Sequence, residues 1–131
     1  MPPTVSALTL LAIAVGGAAG ALARYWVALT AVVLFPRFAP AGTLIVNTVG
    51  CLAIGALMVL AQGAVISEWS RQLWVTGFLG ALTTFSAFGW QTIELTREGR
   101  FVLAAVNVLC NVGLGLGAVG AGLWLGRRWL A

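Results

Sequence analysis

The sequence predicts an all-α integral membrane protein with four transmembrane helices, the third broken at mid-membrane. Three observations carry that expectation. Hydrophobic residues make up 61% of the 131 residues and charged residues only 8%, against roughly 25% charged in a soluble domain. The apolar residues fall in four long runs, each able to supply the roughly 20 residues a span needs. The third run carries Gly, Thr and Ser crowded into its middle. A transmembrane barrel would show short alternating segments instead, and the apolar content with two Cys fits neither disorder nor a disulfide scaffold. The net charge of +4 rests on scattered Arg, which suits a membrane interface and not a nucleic-acid surface. No His is present, so imidazole catalysis and His metal ligation are excluded. No nucleophile, base or metal cluster suggests an enzyme. Residues 1–131 are expected to form one transmembrane domain.

The first span is expected over about residues 7–34, ending where Phe35-Pro36-Arg37-Phe38-Ala39-Pro40 sets two Pro and a charge in the chain. The run is long for a signal core and no Arg or Lys precedes it, so a true span is expected and not a cleaved leader. Gly16, Gly20 and Arg24 recur every four residues on one face, and Gly-x-x-x-Gly lets helices approach closely. Arg24 lies inside the apolar run, where a charge usually faces a bundle interior or a wet cavity. It either attracts anions at a water-filled vestibule or holds a neighbouring loop. The second span is expected over about 43–66, with Thr43, Asn47 and Gly50 at i, i+4 and i+7. Asn47 serves there either as interhelical polar glue or as a pore-facing amide that donates to a permeant anion.

The third span, about 73–95, contains Gly77-Phe78-Leu79-Gly80-Ala81-Leu82-Thr83-Thr84-Phe85-Ser86-Ala87-Phe88-Gly89. That mixture weakens a helix, and a broken helix at membrane depth survives only where protein or a wet cavity covers the freed backbone. Freed carbonyls can coordinate a cation, and hydroxyls such as those of Thr84 and Ser86 can donate to an anion. Phe85 and Phe88 share a face if the helix resumes, and their ring edges carry positive partial charge. The fourth span is expected over about 101–126, before Arg127-Arg128. Asn107, Asn111 and Gly115 repeat every four residues, as a polar pore wall or as packing, and Gly113, Gly117, Gly120, Gly122 and Gly126 add small-residue packing surfaces. Cys51 and Cys110 fall inside spans and read as buried free thiols. Trp69, Trp74, Trp124 and Trp129 sit near span ends, where indoles favour the interface.

Four spans place both ends of the chain on one side. Arg71, Arg127 and Arg128 then lie on that side and Arg37, Arg97 and Arg100 on the other, three against three. The positive-inside rule favours neither orientation. Insertion both ways, with antiparallel pairing, is the functional reading of that balance. It resembles an inverted-repeat transporter whose repeats are separate chains.

Taken together, these residues resemble the Fluc (CrcB) fluoride channels of bacteria and archaea over essentially the whole chain. The resemblance rests on Ala23-Arg24-Tyr25-Trp26, on Gly42-Thr43-Leu44-Ile45-Val46-Asn47, and on Gly77-Phe78-Leu79-Gly80 followed by Leu82-Thr83-Thr84-Phe85-Ser86 and Phe88. It implies a dual-topology antiparallel homodimer in the cell membrane, with two pores that export cytoplasmic fluoride passively. It implies a structural Na⁺ at the dimer centre, held by the backbone carbonyls of Gly80 and Thr83. The pore aromatics of the family fall at Phe85 and Phe88, its pore-facing amide at Asn47 and its helix-1 Arg at Arg24. Its hydroxyl-rich track falls at Ser86 and on the Asn107/Asn111 face. Two positions depart from the family pattern: Ala81 stands where Gly is usual, a crowding methyl if that residue needs positive φ, and Ala87 stands where Thr is usual.

Two other functions fit a small four-span protein. A small proton-coupled multidrug exporter needs a membrane-embedded carboxylate, yet the first two spans hold no Asp or Glu and Glu94 is near the end of the third. A non-transporting subunit of a larger membrane assembly would pass no ion alone.

Overall fold

The computed structural model describes residues 6–131. The chain is all-α, and four of its helical stretches are long and apolar enough to cross a membrane: Ala7–Leu34, Ala41–Gln62, Glu68–Arg97 and Phe101–Leu130.

Helix α1, Ala7–Leu34, starts where the Ser6 hydroxyl accepts the Thr9 N–H at 3.1 Å, satisfying a donor that the first turn leaves open. Pro36 stops it. Helix α2, Ala41–Gln62, begins just after Pro40 and closes earlier than residue 66. There Val65 N–H returns to Leu60 O at 3.0 Å and Ala64 takes φ 53°, a left-handed helix end.

The third stretch has four parts: α3 (Glu68–Arg71), a π-helical segment π1 (Gln72–Leu79), α4 (Gly80–Leu82) and α5 (Phe85–Arg97). It starts before residue 73 because Ser67 caps Ser70 N–H and Arg71 pairs with Glu68 at 2.7 Å. Thr83 (φ −83°, ψ 152°) and Thr84 (φ −152°, ψ 119°) are extended and separate α4 from α5. The break expected from composition therefore lies at this Thr-Thr pair. Ala81 is helical, and Ala64 is the only non-glycine with positive φ among the described residues. The methyl at 81 thus meets no backbone obstacle. Helix α6, Phe101–Leu130, follows a turn at Gly99 (φ 73°) and runs past residue 126. Arg127 and Arg128 in its last turn complement the helix dipole, and Arg128 lies 5.3 Å from the Trp124 ring centre.

Glycines set the packing distances. A Cβ at Gly16 or Gly20 of α1 would strike the carbonyl of Leu73 or Phe78, and one at Gly77 would lie 2.8 Å from Ile13 O. On the α2–α6 seam, Gly55 and Gly122 leave no room for a methyl between the two backbones. Of the α6 glycines expected to pack, Gly122 and Gly126 do so; among the described residues, Gly113, Gly117 and Gly120 have nothing within 4 Å of a built Cβ. Val46, Leu79 and Leu82 form the buried core between α2 and the third stretch, with Ala23, Val27 and Phe78 against them. At one end of the bundle Arg100 Nη2 donates to Arg37 O at 2.9 Å. At the other, Leu130 lies against Gly63.

Candidate functional site

The break is held open by two side chains that intercept helical hydrogen bonds. In a continuous helix Thr84 N–H would donate to Gly80 O. Here it donates to Asn47 Oδ1 at 2.8 Å. Ala87 N–H would donate to Thr83 O, but it donates to Thr84 Oγ1 at 3.2 Å, the N-cap of α5. The carbonyls of Gly80 and Thr83 thus lose their usual helical donors. Thr83 itself is pinned from both sides of its Cβ. Its hydroxyl donates to Leu79 O at 3.0 Å, and its methyl fills the space where a Cβ at Gly50 would sit. The i, i+4, i+7 face of Thr43, Asn47 and Gly50 therefore turns toward the third span, with Asn47 and Gly50 directly on the break.

Asn47 Nδ2 makes two further bonds, to Asn111 Oδ1 at 2.9 Å and to Thr84 O at 3.3 Å. Asn111 Nδ2 continues to Asn107 Oδ1 at 2.9 Å, and Asn107 Nδ2 to Thr92 Oγ1 at 2.9 Å. Asn107 is fully buried, at 0% exposure, so it stands behind the cavity wall. Phe85 and Phe88 lie edge to face with ring centres 5.3 Å apart. They share one face of α5 but differ in burial: Phe85 is 81% exposed and Phe88 only 9%. Ser86 is exposed and pairs its hydroxyl with that of Thr84 at 3.0 Å.

Two cavities flank the break. The larger, of ≈ 360 Å³, is lined by Asn47, Gly80, Thr83, Phe85, Phe88 and Asn111, among others. Exposed Gly80 and Phe85 place its mouth on the outside of the bundle. The second, of ≈ 300 Å³, lies on the other side of Thr84 and is lined by Arg24, Tyr25, Thr43, Ala87 and Gln91. Arg24 and Thr43 thus come together with each other, and not with the Phe pair. Ala87 faces this second cavity, away from Phe88. Glu94 is exposed and lines neither cavity. Among the described residues no three of His, Cys, Asp and Glu come together.

Sequence reasoning missed Gln91 and Thr92. Gln91 Oε1 is buried without a hydrogen-bond partner, and Thr92 donates to Phe88 O at 2.8 Å while accepting from Asn107. Their signal was the polar Gln-Thr pair inside an apolar run, one turn beyond Phe88.

A family model described as CrcB-like protein, Camphor Resistance (CrcB), matches residues 11–123. A protein of Allorhizobium ampelinum named Fluoride-specific ion channel FluC is 43% identical over 119 residues, covering 90% of this chain and 94% of the relative. Proteins of the same name from Vibrio cholerae (43% over 119 residues, 91% of the relative) and Solibacter usitatus (46% over 121 residues, 98% of the relative) align over 90% of this chain as well. The family match covers most of the molecule, including the break and both cavities, and the four spans make it a multi-pass membrane protein: the chain belongs to the CrcB family.

Proposed function

We propose that this chain is a fluoride-selective channel, and no enzyme, that releases cytoplasmic fluoride passively as an antiparallel homodimer of dual topology. The observation that carries the reading is the interrupted third span, where Asn47 takes the Thr84 N–H beside the Phe85/Phe88 pair. Fluoride holds its water strongly, so a selective path must replace that shell with donors in a narrow space. Thr84 and Ser86 hydroxyls and the ring edges of Phe85 and Phe88 are donors of that kind, and the Asn47 amide lines the path beside them with its two N–H groups held by Asn111 Oδ1 and Thr84 O. Arg24 in the second cavity adds a positive charge that draws an anion toward the break. Support for a second copy comes from the larger cavity: it opens outward with Phe85 exposed, and a copy set against that face would close it. The three-against-three balance of Arg is compatible with insertion in both orientations.

A structural Na⁺ fits the residues present. Gly80 and Thr83 offer two carbonyl oxygens deprived of their helical donors, and a two-fold related copy would add two more. Hard cations take oxygen ligands of this kind. When bound, the ion would supply a fixed positive charge at the centre of the assembly. The chain's own part is to keep those carbonyls free, through Asn47 and the Thr84 cap. The test is efflux from liposomes that contain only this protein. Fluoride is expected to leave down its gradient while chloride stays, with no proton gradient needed. Efflux that requires a proton gradient would support a coupled carrier instead, and no efflux from folded protein would refute the homomeric channel.

A further inference from the structure

Four side chains form an unbroken hydrogen-bonded line from the break to the first turn of α5. Thr84 N–H donates to Asn47, Asn47 to Asn111, Asn111 to Asn107 and Asn107 to Thr92, with each bond between 2.8 and 2.9 Å. Thr92 Oγ1 then donates to Phe88 O at 2.8 Å. Both ends are backbone groups of fixed sense: an N–H only donates and a carbonyl only accepts. The sense of every amide between them follows. Turning any one about would set N–H against N–H or oxygen against oxygen. We infer that Thr92, Asn107 and Asn111 are positioning residues that help Thr84 O fix which end of the Asn47 amide meets the Thr84 N–H. The inference rests on the channel reading and deepens it at the same site.

A lone Asn amide has two nearly isosteric ends and no intrinsic preference between them. The line removes that freedom. Buried Asn107 cannot turn to water for a replacement partner. Without the Thr92 hydroxyl, the Asn107 amide loses the acceptor that sets its sense. Rotation of Asn107 then sets its Nδ2 against Asn111 Nδ2, so that only Asn107 O at 3.0 Å still holds the sense of Asn111, and Asn47 depends on its own contacts with Thr84. A reversed Asn47 would set its own N–H against Thr84 N–H, and the freed Thr84 N–H would return to Gly80 O. A residue about two turns along α5 from Thr84 thereby bears on both the pore amide and one of the freed carbonyls.

The test is a double-mutant cycle on fluoride efflux from liposomes: the parent, Thr92→Val, Asn47→Ala and the double variant. Val keeps the shape of Thr and removes the hydroxyl. Thr92→Val is expected to slow efflux about tenfold in the parent and to change it less than about twofold in the Asn47→Ala background. Thr92→Ser, which keeps the hydroxyl, is expected to stay within about twofold of the parent. An equal loss in both backgrounds, or no loss from Thr92→Val, would overturn the inference, because a residue that merely packs acts additively. Should Thr92→Val fail to assemble, Asn111→Leu enters the same cycle and must show the same non-additivity. The cycle is also read in thermal midpoints. If the parent passes no fluoride, the channel reading falls, and additive or non-additive midpoints still decide the line.

Discussion

Asn47→Leu is the perturbation that most directly challenges the account of the break. Leu keeps the γ-branched shape of Asn, with a bulkier end, but has neither an acceptor nor a donor. The substitution removes the bonds at 2.8, 2.9 and 3.3 Å to Thr84 N–H, Asn111 and Thr84 O. At about 0.6 kcal/mol for an interhelical hydrogen bond in a membrane protein, the three bonds give a floor near 2 kcal/mol. Two part-buried groups, Thr84 N–H and Asn111 Oδ1, also lose their best partner, at up to about 1–3 kcal/mol each. Thr84 N–H can recover a partner only by joining Gly80 O, which closes part of the break. A net loss of about 3–4 kcal/mol follows, or about 10 °C in melting midpoint at the usual scaling for a chain of this size. Half-buried Cys51 and Cys110 are free thiols, so a fluorogenic maleimide in a thermal ramp reports the midpoint in detergent. Thr48→Val, one position along α2 and outside the network, is expected to melt within about 2 °C of the parent. A midpoint for Asn47→Leu as close to the parent as that of Thr48→Val would refute the reasoning.

Other expectations concern packing, the aromatic pair and the cation. Gly122→Val on the tight α2–α6 seam is expected to abolish assembly or cost more than about 3 kcal/mol, whereas Gly117→Ala, facing open space, is expected to be neutral or stabilising by up to about 1 kcal/mol; yield and melting midpoint check both. Phe85→Ile is expected to reduce fluoride efflux about tenfold or more while leaving the midpoint near the parent, because its ring is exposed in the single chain; Phe88→Ala is expected to lower the midpoint as well, by about 3 kcal/mol or more of lost packing. Replacing Na⁺ with a large organic cation is expected to lower efflux. Thr83→Ser is expected to keep the Na⁺ dependence, because the proposed ligand is the backbone carbonyl and the hydroxyl bond to Leu79 O is retained.

The spans were legible because membrane insertion is decided by apolar length, which the sequence displays directly. The break was legible for a related reason: Gly80, Thr83, Thr84 and Ser86 have poor claims on a helix interior and mix backbone freedom with hydroxyls that compete for backbone groups. Its mechanism was not legible. That Asn47 intercepts the Thr84 N–H depends on α2 lying close to the third span, which is set by contacts such as Thr83 on Gly50. The π-helical segment over Gln72–Leu79 likewise follows no pattern of its own residues; it lies where Gly16, Gly20 and Gly77 bring α1 into backbone contact. Phe85 and Phe88 were placed on one face by spacing, but their contrast in burial comes from what covers each ring. Asn107 reads in the sequence as pore wall or as packing, and only the tertiary structure shows its side chain buried with Thr92 as partner. Gly113, Gly117 and Gly120 have the composition of a packing surface, and among the described residues a Cβ built on any of them meets nothing within 4 Å.

The most direct test of the central claim is the reversal potential of current through the purified protein in a planar bilayer. Fluoride is set at unequal concentrations across the membrane and chloride at equal ones, with no pH gradient. The account predicts a current that reverses at the fluoride equilibrium potential and falls in Phe85→Ile. A current that reverses at the chloride potential, or no current from protein that is folded and inserted, would contradict it.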